Sequence, residues 1–108
     1  MAFKDLDPIL HSQLRLAIVS LLVSVKEAEF TFIKEQTNST AGNLSVQLQK
    51  LKEVNYVEIE KSFKNNYPQT LCKITATGIK AFDKYIADLQ DYLNYNKNNK
   101  PIPPGKKG

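Results

Sequence analysis

Apolar residues recur along this 108-residue chain in distinct rhythms. From Leu14 to Val25 they fall at Leu14, Ala17, Ile18, Leu21, Leu22 and Val25, a helical spacing, with Leu16 and Val19 on other faces. Ahead of that run, Asp7-Pro8 has the form of an N-cap followed by proline at the first helical position, and Ser12 offers a second cap. Lys26–Glu29 is a polar break, Phe30 is expected in a very short strand, and Thr31 caps a short helix over Phe32–Thr37 that packs through Phe32 and Ile33. Thr37-Asn38 then turns into the stretch Ser39–Asn55. There Leu44, Leu48, Leu51 and Val54 share one helical face, while Asn43, Ser45, Val46, Gln47, Gln49 and Lys50 occupy the opposite one.

The rhythm changes after Asn55, a residue that tolerates the left-handed conformation ending a helix. Val57, Ile59 and Phe63 alternate with polar residues, which predicts a half-buried strand. Lys64–Pro68 reads as a turn, and Gln69–Thr75 as the returning strand with Thr70, Cys72 and Ile74 on one side. Thr75 caps a final helix from Ala76 to about Asn94. Its apolar residues Ile79, Phe82, Ile86, Leu89 and Leu93 are spaced three, four, three and four, a heptad seam, with Tyr85 and Tyr92 along one edge. Two and a half heptads are too few for a free-standing coiled coil, so the seam must pack on another helix, within the subunit or across a dimer. Tyr95–Gly108 lacks periodicity and is expected to be disordered.

A short helix, a tight turn, a longer helix with a polar face and then a hairpin make a winged helix-turn-helix. The expected fold is therefore mainly α with a small β-hairpin, in one domain over residues 1–94 with a tail at 95–108. Two helices rich in apolar surface at opposite ends exceed what so small a chain can cover. They are expected to form a homodimer interface through Leu10, Leu14, Ile18, Ile79, Phe82, Ile86, Leu89 and Leu93.

Charge adds a partner class. Net charge is +4 and pI ≈ 9.2. Residues 1–60 carry six bases against eight acids, whereas residues 61–108 carry nine lysines against Asp83, Asp88 and Asp91. A basic second half suits a polyanion. The single cysteine, Cys72, excludes an internal disulfide and a thiolate cluster and fits a reducing cytosol. His11 is the only histidine and has no neighbouring ligand set, so no metal or cofactor is expected. Glu58 and Glu60 share a solvent face without a cleft, and no nucleophile motif or phosphate loop occurs, so no enzyme is expected. Leu14–Val25 falls short of the ~20 residues that span a bilayer, and no membrane association is expected.

Four pieces of the sequence carry a family resemblance. Leu6–Ile18 contains His11 and the Arg15-Leu16 pair. Gly42-Asn43-Leu44-Ser45-Val46-Gln47-Leu48-Gln49-Lys50-Leu51 is similar to a G-N-L-S-x-H-L-x-x-L motif. Asn55-Tyr56-Val57 stands where Gly-Tyr-Val is usual, and Pro68-Gln69-Thr70 with Ile74–Gly78 is similar to P-x-T…L-T-x-x-G. Over residues 6–93 the chain resembles the small single-domain winged-helix regulators of the MarR/ArsR type. The resemblance implies a prokaryotic, cytoplasmic homodimer, joined through its first and last helices, that binds a pseudo-palindromic operator. Two departures stand out: Gln47 replaces the common histidine, and the wing has lysine and asparagine where relatives often carry arginine.

The DNA-binding residues expected on this basis lie in the helix and the wing. Asn43, Val46, Gln47 and Lys50 face the major groove, where Asn and Gln pair with adenine and Val46 meets a thymine methyl. Ser39, Thr40 and Ser45 hold phosphates or cap the helix, and Lys61, Lys64, Asn65 and Asn66 act from the wing. The competing reading is a winged-helix protein-interaction module without specific DNA binding, motivated by the weakly charged wing and the acidic balance of residues 1–60.

Overall fold

The structure, a computed structural model, describes residues 3–98, with side chains through Tyr95. Helix α1 (Gln13–Val25) is followed by strand β1 (Glu27–Glu29), helix α2 (Phe30–Thr37), helix α3 (Ala41–Glu53), strands β2 (Val57–Lys64) and β3 (Tyr67–Ile74), and helix α4 (Ala76–Asn98). The antiparallel sheet has the order β1-β3-β2.

The core lies where the apolar stripes of α1 and α3 meet the root of the sheet. Ile18, Val19 and Leu22 of α1, Ile33 of α2 and Leu44, Leu48 and Leu51 of α3 close over Val57 and Cys72. Each such aliphatic side chain contributes roughly 1.5–3 kcal/mol by leaving water. No buried side-chain nitrogen or oxygen among the described residues lacks a hydrogen-bond partner.

Several expectations are revised. The polar break is itself the short strand: Glu27, Ala28 and Glu29 pair with Lys73, Cys72 and Leu71, and Ala28 is buried. Phe30 instead opens α2, with Glu29 rather than Thr31 at its N-cap. Phe32 is 41% exposed, and Ile33 alone of that helix is fully buried. The hairpin turn is tighter than read, because Asn65 and Asn66 both take positive φ (53° and 66°) and close a two-residue loop of the type that matches strand twist. Phe63 pairs with Pro68 near the tip and is 77% exposed, beyond the reach of the core.

Val19 belongs to the core rather than to another face. Leu10 and Ile18, expected at a dimer interface, are wholly buried inside the chain, where a partner would not reach them. Helix α4 runs past Asn94 to Asn98, so the first residues assigned to the tail are helical. Residues 99–108 of that tail lie outside the described residues.

The segment before α1 has a structural task. Asp7 Oδ1 accepts from the Ile9 N–H at 2.8 Å, and His11 N–H donates to the Asp7 carbonyl at 2.8 Å, making a single turn before Ser12. Phe3 packs on Tyr92 and Tyr95 with ring centroids 4.7 and 5.1 Å apart, and the Tyr92 hydroxyl donates to the Lys4 carbonyl at 2.8 Å. His11 Nδ1 lies 3.1 Å from the Tyr85 hydroxyl. Among the described residues of α4, Gly78, Tyr85 and Asp88 are buried. Tyr85 is the sealed side of the helix rather than the edge of its seam. The aliphatic seam falls on the adjacent face, with Ile79, Phe82, Ile86 and Leu89 half-buried and Leu93 66% exposed.

Candidate nucleic-acid interface

The turn into α3 follows from local chemistry. Asn38 takes the left-handed conformation (φ 50°), with its N–H donating to Glu35 and that of Ser39 to Lys34, a paired closure that satisfies the last carbonyls of α2. Thr40 is extended, and its hydroxyl accepts from the Asn43 N–H at 3.2 Å, capping α3. Asn55, at φ 61°, ends α3 in the same way as Asn38: its N–H donates to Lys52 and that of Tyr56 to Leu51. Two asparagines thus do what glycine commonly does, one on each side of α3.

With Leu44, Leu48 and Leu51 buried, Asn43, Ser45, Val46, Gln49 and Lys50 project outward, Val46 with 52% of its surface exposed. Ser45, Gln49 and Lys52 form one wall of a groove of about 240 Å³ whose other wall is Ile59, Lys61 and Thr70 of the hairpin. Helix and wing therefore bound a single continuous surface. Strand alternation turns Glu58 and Glu60 to the other side, where Glu60 meets Lys73 at 2.9 Å and raises that lysine's pKa. The acids of the wing root thus stay out of the groove lined by Ser45, Gln49 and Lys61 and border a separate depression with Lys52 and Asn55 at the end of α3.

The expected contact residues separate into groups. Asn43, Ser45, Val46, Lys50, Lys61, Lys64, Asn65 and Asn66 are exposed together along α3 and the wing. Lys61 and Lys64 point from opposite faces of the hairpin ladder. Ser39 is half-buried and its hydroxyl lies 2.9 Å from that of Thr37, while Thr40 is taken up by capping. Gln47 is half-buried and held on two sides: Arg15 donates to its Oε1 at 2.6 Å, and its Nε2 donates to Asn43 Oδ1 at 3.0 Å. Arg15 is a site residue that sequence reasoning missed, since α1 brings it to α3 from 32 positions away. Its signals were its place in the Arg15-Leu16 pair of the family resemblance and its being the only arginine in the chain, and neither assigned it a role. Phe63 and Tyr67, 77% and 75% exposed on the wing, were also missed as surface groups.

No cluster of three or more His, Cys, Asp or Glu residues lies together among the described residues. No helix among them is long and apolar enough to cross a membrane.

A family model described as a winged helix DNA-binding domain matches residues 14–93. An uncharacterised protein of Methanocaldococcus jannaschii, MJ0432, is 39% identical over 90 residues, covering 83% of this chain and 95% of that protein. A solved transcriptional regulator homologue from Pyrococcus horikoshii OT3 superposes with a TM-score of 0.76 at 25% identity, covering 81% of this chain and 86% of its own. Wild-type MarR from E. coli, in its apo form, gives 0.65 at 15% identity over 80% of this chain and 64% of MarR, a likeness of fold.

Proposed function

Because this chain belongs to the winged helix DNA-binding domain family, we propose that it is a homodimeric transcriptional regulator reading a specific double-stranded DNA site. The observation that carries the reading is the continuous surface of α3 and the wing, polar along the helix, with Glu58 and Glu60 outside the groove between them. Helix α3 enters the major groove through Asn43, Val46, Gln47 and Lys50, while Lys61, Lys64, Asn65 and Asn66 hold the flanking backbone. The half-covered seam of α4, with exposed Leu93, supports pairing with a second copy. Two copies related by a two-fold axis present their recognition helices to successive major grooves about 34 Å apart, so the operator is pseudo-palindromic. Such a regulator works in the cytoplasm, beside a prokaryotic chromosome.

Fluorescence titration of a random duplex pool with the purified protein, repeated across salt concentrations, tests the reading. Affinity is expected to fall linearly on a double-logarithmic plot as lysines release phosphate counterions. Absence of duplex binding at low salt would sink it. Exposed Phe63 and Tyr67 favour a second reading, a protein-interaction module, for which the same titration stays flat.

A further inference from the structure

An Asn–Gln pair one helical turn apart has two directions open to it. Rotating both side-chain amides by half a turn exchanges donor and acceptor and leaves the hydrogen bond between them intact. Left to themselves, Asn43 and Gln47 would present either polarity outward. A guanidinium, by contrast, only donates and stays charged.

Arg15 reaches both sides of this junction. Its Nε donates to the Ile9 carbonyl at 2.6 Å, anchoring the side chain to the turn before α1, and a terminal nitrogen donates to Gln47 Oε1 at 2.6 Å. With the Gln47 oxygen so engaged, its amide nitrogen is turned to Asn43 Oδ1 at 3.0 Å. The Asn43 backbone N–H is already used by the Thr40 hydroxyl. What remains at the exposed end of this chain of bonds is the Asn43 Nδ2 group, a donor.

We propose that Arg15 is a specificity-determining positioning residue: by fixing the direction of the Arg15–Gln47–Asn43 chain, it makes α3 present amide donors to DNA. The inference rests on the DNA-binding reading above and deepens it. A donor face matches guanine N7 and O6 and thymine O4 at the major-groove edge, and mismatches the cytosine amino group. It also weakens the bidentate adenine contact expected from asparagine and glutamine, because each amide oxygen already spends one of its two lone pairs within the chain of bonds.

The test is selection of bound sequences from a randomised duplex pool by the wild-type protein and by Arg15→Met, Arg15→Lys and Gln47→Glu. In Arg15→Met both amide directions open, and preference for the selected site over a scrambled one is expected to fall roughly tenfold. Binding to random duplex is expected to stay within about twofold. Arg15→Lys, which still donates and never accepts, restores part of the preference. Gln47→Glu offers only acceptors to both neighbours, so Asn43 must turn its nitrogen inward and its oxygen outward. The selected bases then move toward those with an amino group, cytosine or adenine. A merely structural staple to Ile9 would leave that preference unmoved. Should Arg15→Met prove unfolded, Arg15→Gln, whose amide can donate or accept and so opens both directions, takes its place, with the same loss of preference expected. Unchanged selection by Gln47→Glu, or full selectivity in a folded Arg15→Met, overturns the role of Arg15 and leaves the regulator reading standing. A wild-type protein that binds no duplex overturns that reading, and this inference with it.

Discussion

The Tyr56 hydroxyl donates to the Asp7 carboxylate at 2.6 Å, fastening the segment ahead of α1 to the residue that follows Asn55 at the end of α3. Burial, this hydrogen bond and the Asp7 charge together push the phenol up from 10.0 to about 12. A raised acid favours its neutral form in the folded chain. Its contribution is therefore complete below about pH 10 and is lost as pH rises through about 12. Tyr56→Phe is expected to cost about 1 kcal/mol at neutral pH. It should also flatten the loss of stability between those two values. Urea denaturation of both proteins across that window checks the pair of effects.

Gly78 lies in the first turn of α4, against the chain leaving α3. A Cβ built there would sit 2.3 Å from the Tyr56 carbonyl oxygen and 2.9 Å from Ile74 Cδ1. That same carbonyl accepts the Thr75 N–H at 3.2 Å, and the Thr75 hydroxyl accepts the Gly78 N–H at 2.9 Å, so α4 has little room to retreat. Alanine would gain about 1 kcal/mol of helix propensity, but the clash with backbone outweighs it. Gly78→Ala is expected to lower stability by about 1–2 kcal/mol net. Gly42 in α3 has nothing within 4 Å of the added Cβ, so Gly42→Ala is expected to raise the melting temperature by a few degrees, on the order of 0.5 kcal/mol. Thermal melts of the two variants should move in opposite directions.

Most of the architecture was legible because it is written in local periods and caps. The leucines of α3, the Thr40 cap, the left-handed Asn55 and the alternation from Val57 each act within a few residues of themselves. What escaped depends on partners far along the chain. Glu27–Glu29 has no strand signal of its own and pairs only because β3 offers it an edge with Cys72 opposite Ala28. Periodicity placed Ile18 on an apolar face without telling whose core that face would enter, and Leu10, outside the periodic run, was assigned to the same dimer face. Phe63 continues the alternation of β2 after the core beneath it has ended. The candidate surface was readable residue by residue along α3 and the wing, but Arg15 was not, since no spacing along one helix reports a hydrogen bond from another.

Cys72 sits with no exposed surface beneath the sheet, and burial pushes its thiol from 9.0 to about 11. The thiolate is the reactive form, so both access and charge state protect this residue in the folded chain. A disulfide exchange reagent at pH 8 is expected to label it only after denaturant is added. Cys72→Ser buries a hydroxyl among apolar neighbours and should cost about 1–3 kcal/mol. Cys72→Ala, which leaves no unsatisfied group, should cost less. The comparison is read from urea midpoints.

Lys64 adjoins the tight turn of the wing and is exposed, with no salt bridge to an acid among the described residues. A lysine that serves phosphate alone carries no base preference. Lys64→Ala is expected to weaken selected and scrambled duplexes equally and to reduce the slope of log affinity against log salt by about one. A change in which sequence is preferred would instead place Lys64 against base edges.

Leu93 closes the α4 seam and keeps 66% of its surface exposed, in line with half-buried Ile86 and Leu89. Substituting the half-buried pair would disturb the chain's own packing, because both touch its core. Leu93 is free of that ambiguity. Leu93→Glu is expected to leave thermal stability within about 0.5 kcal/mol at dilutions where the chain is a monomer, as for other exposed positions. In a dimer that joins its seams, the same change sets two carboxylates into an apolar contact, and dissociation should shift by at least about tenfold. Sedimentation equilibrium reads that shift. Titration against duplexes carrying one or two half-sites then separates assembly from recognition. The variant should lose the advantage of the second half-site, which arises from linkage through the partner, and bind the single half-site as wild type does. Equal losses on both duplexes would move Leu93 from the dimer contact to the folding of the recognition helix.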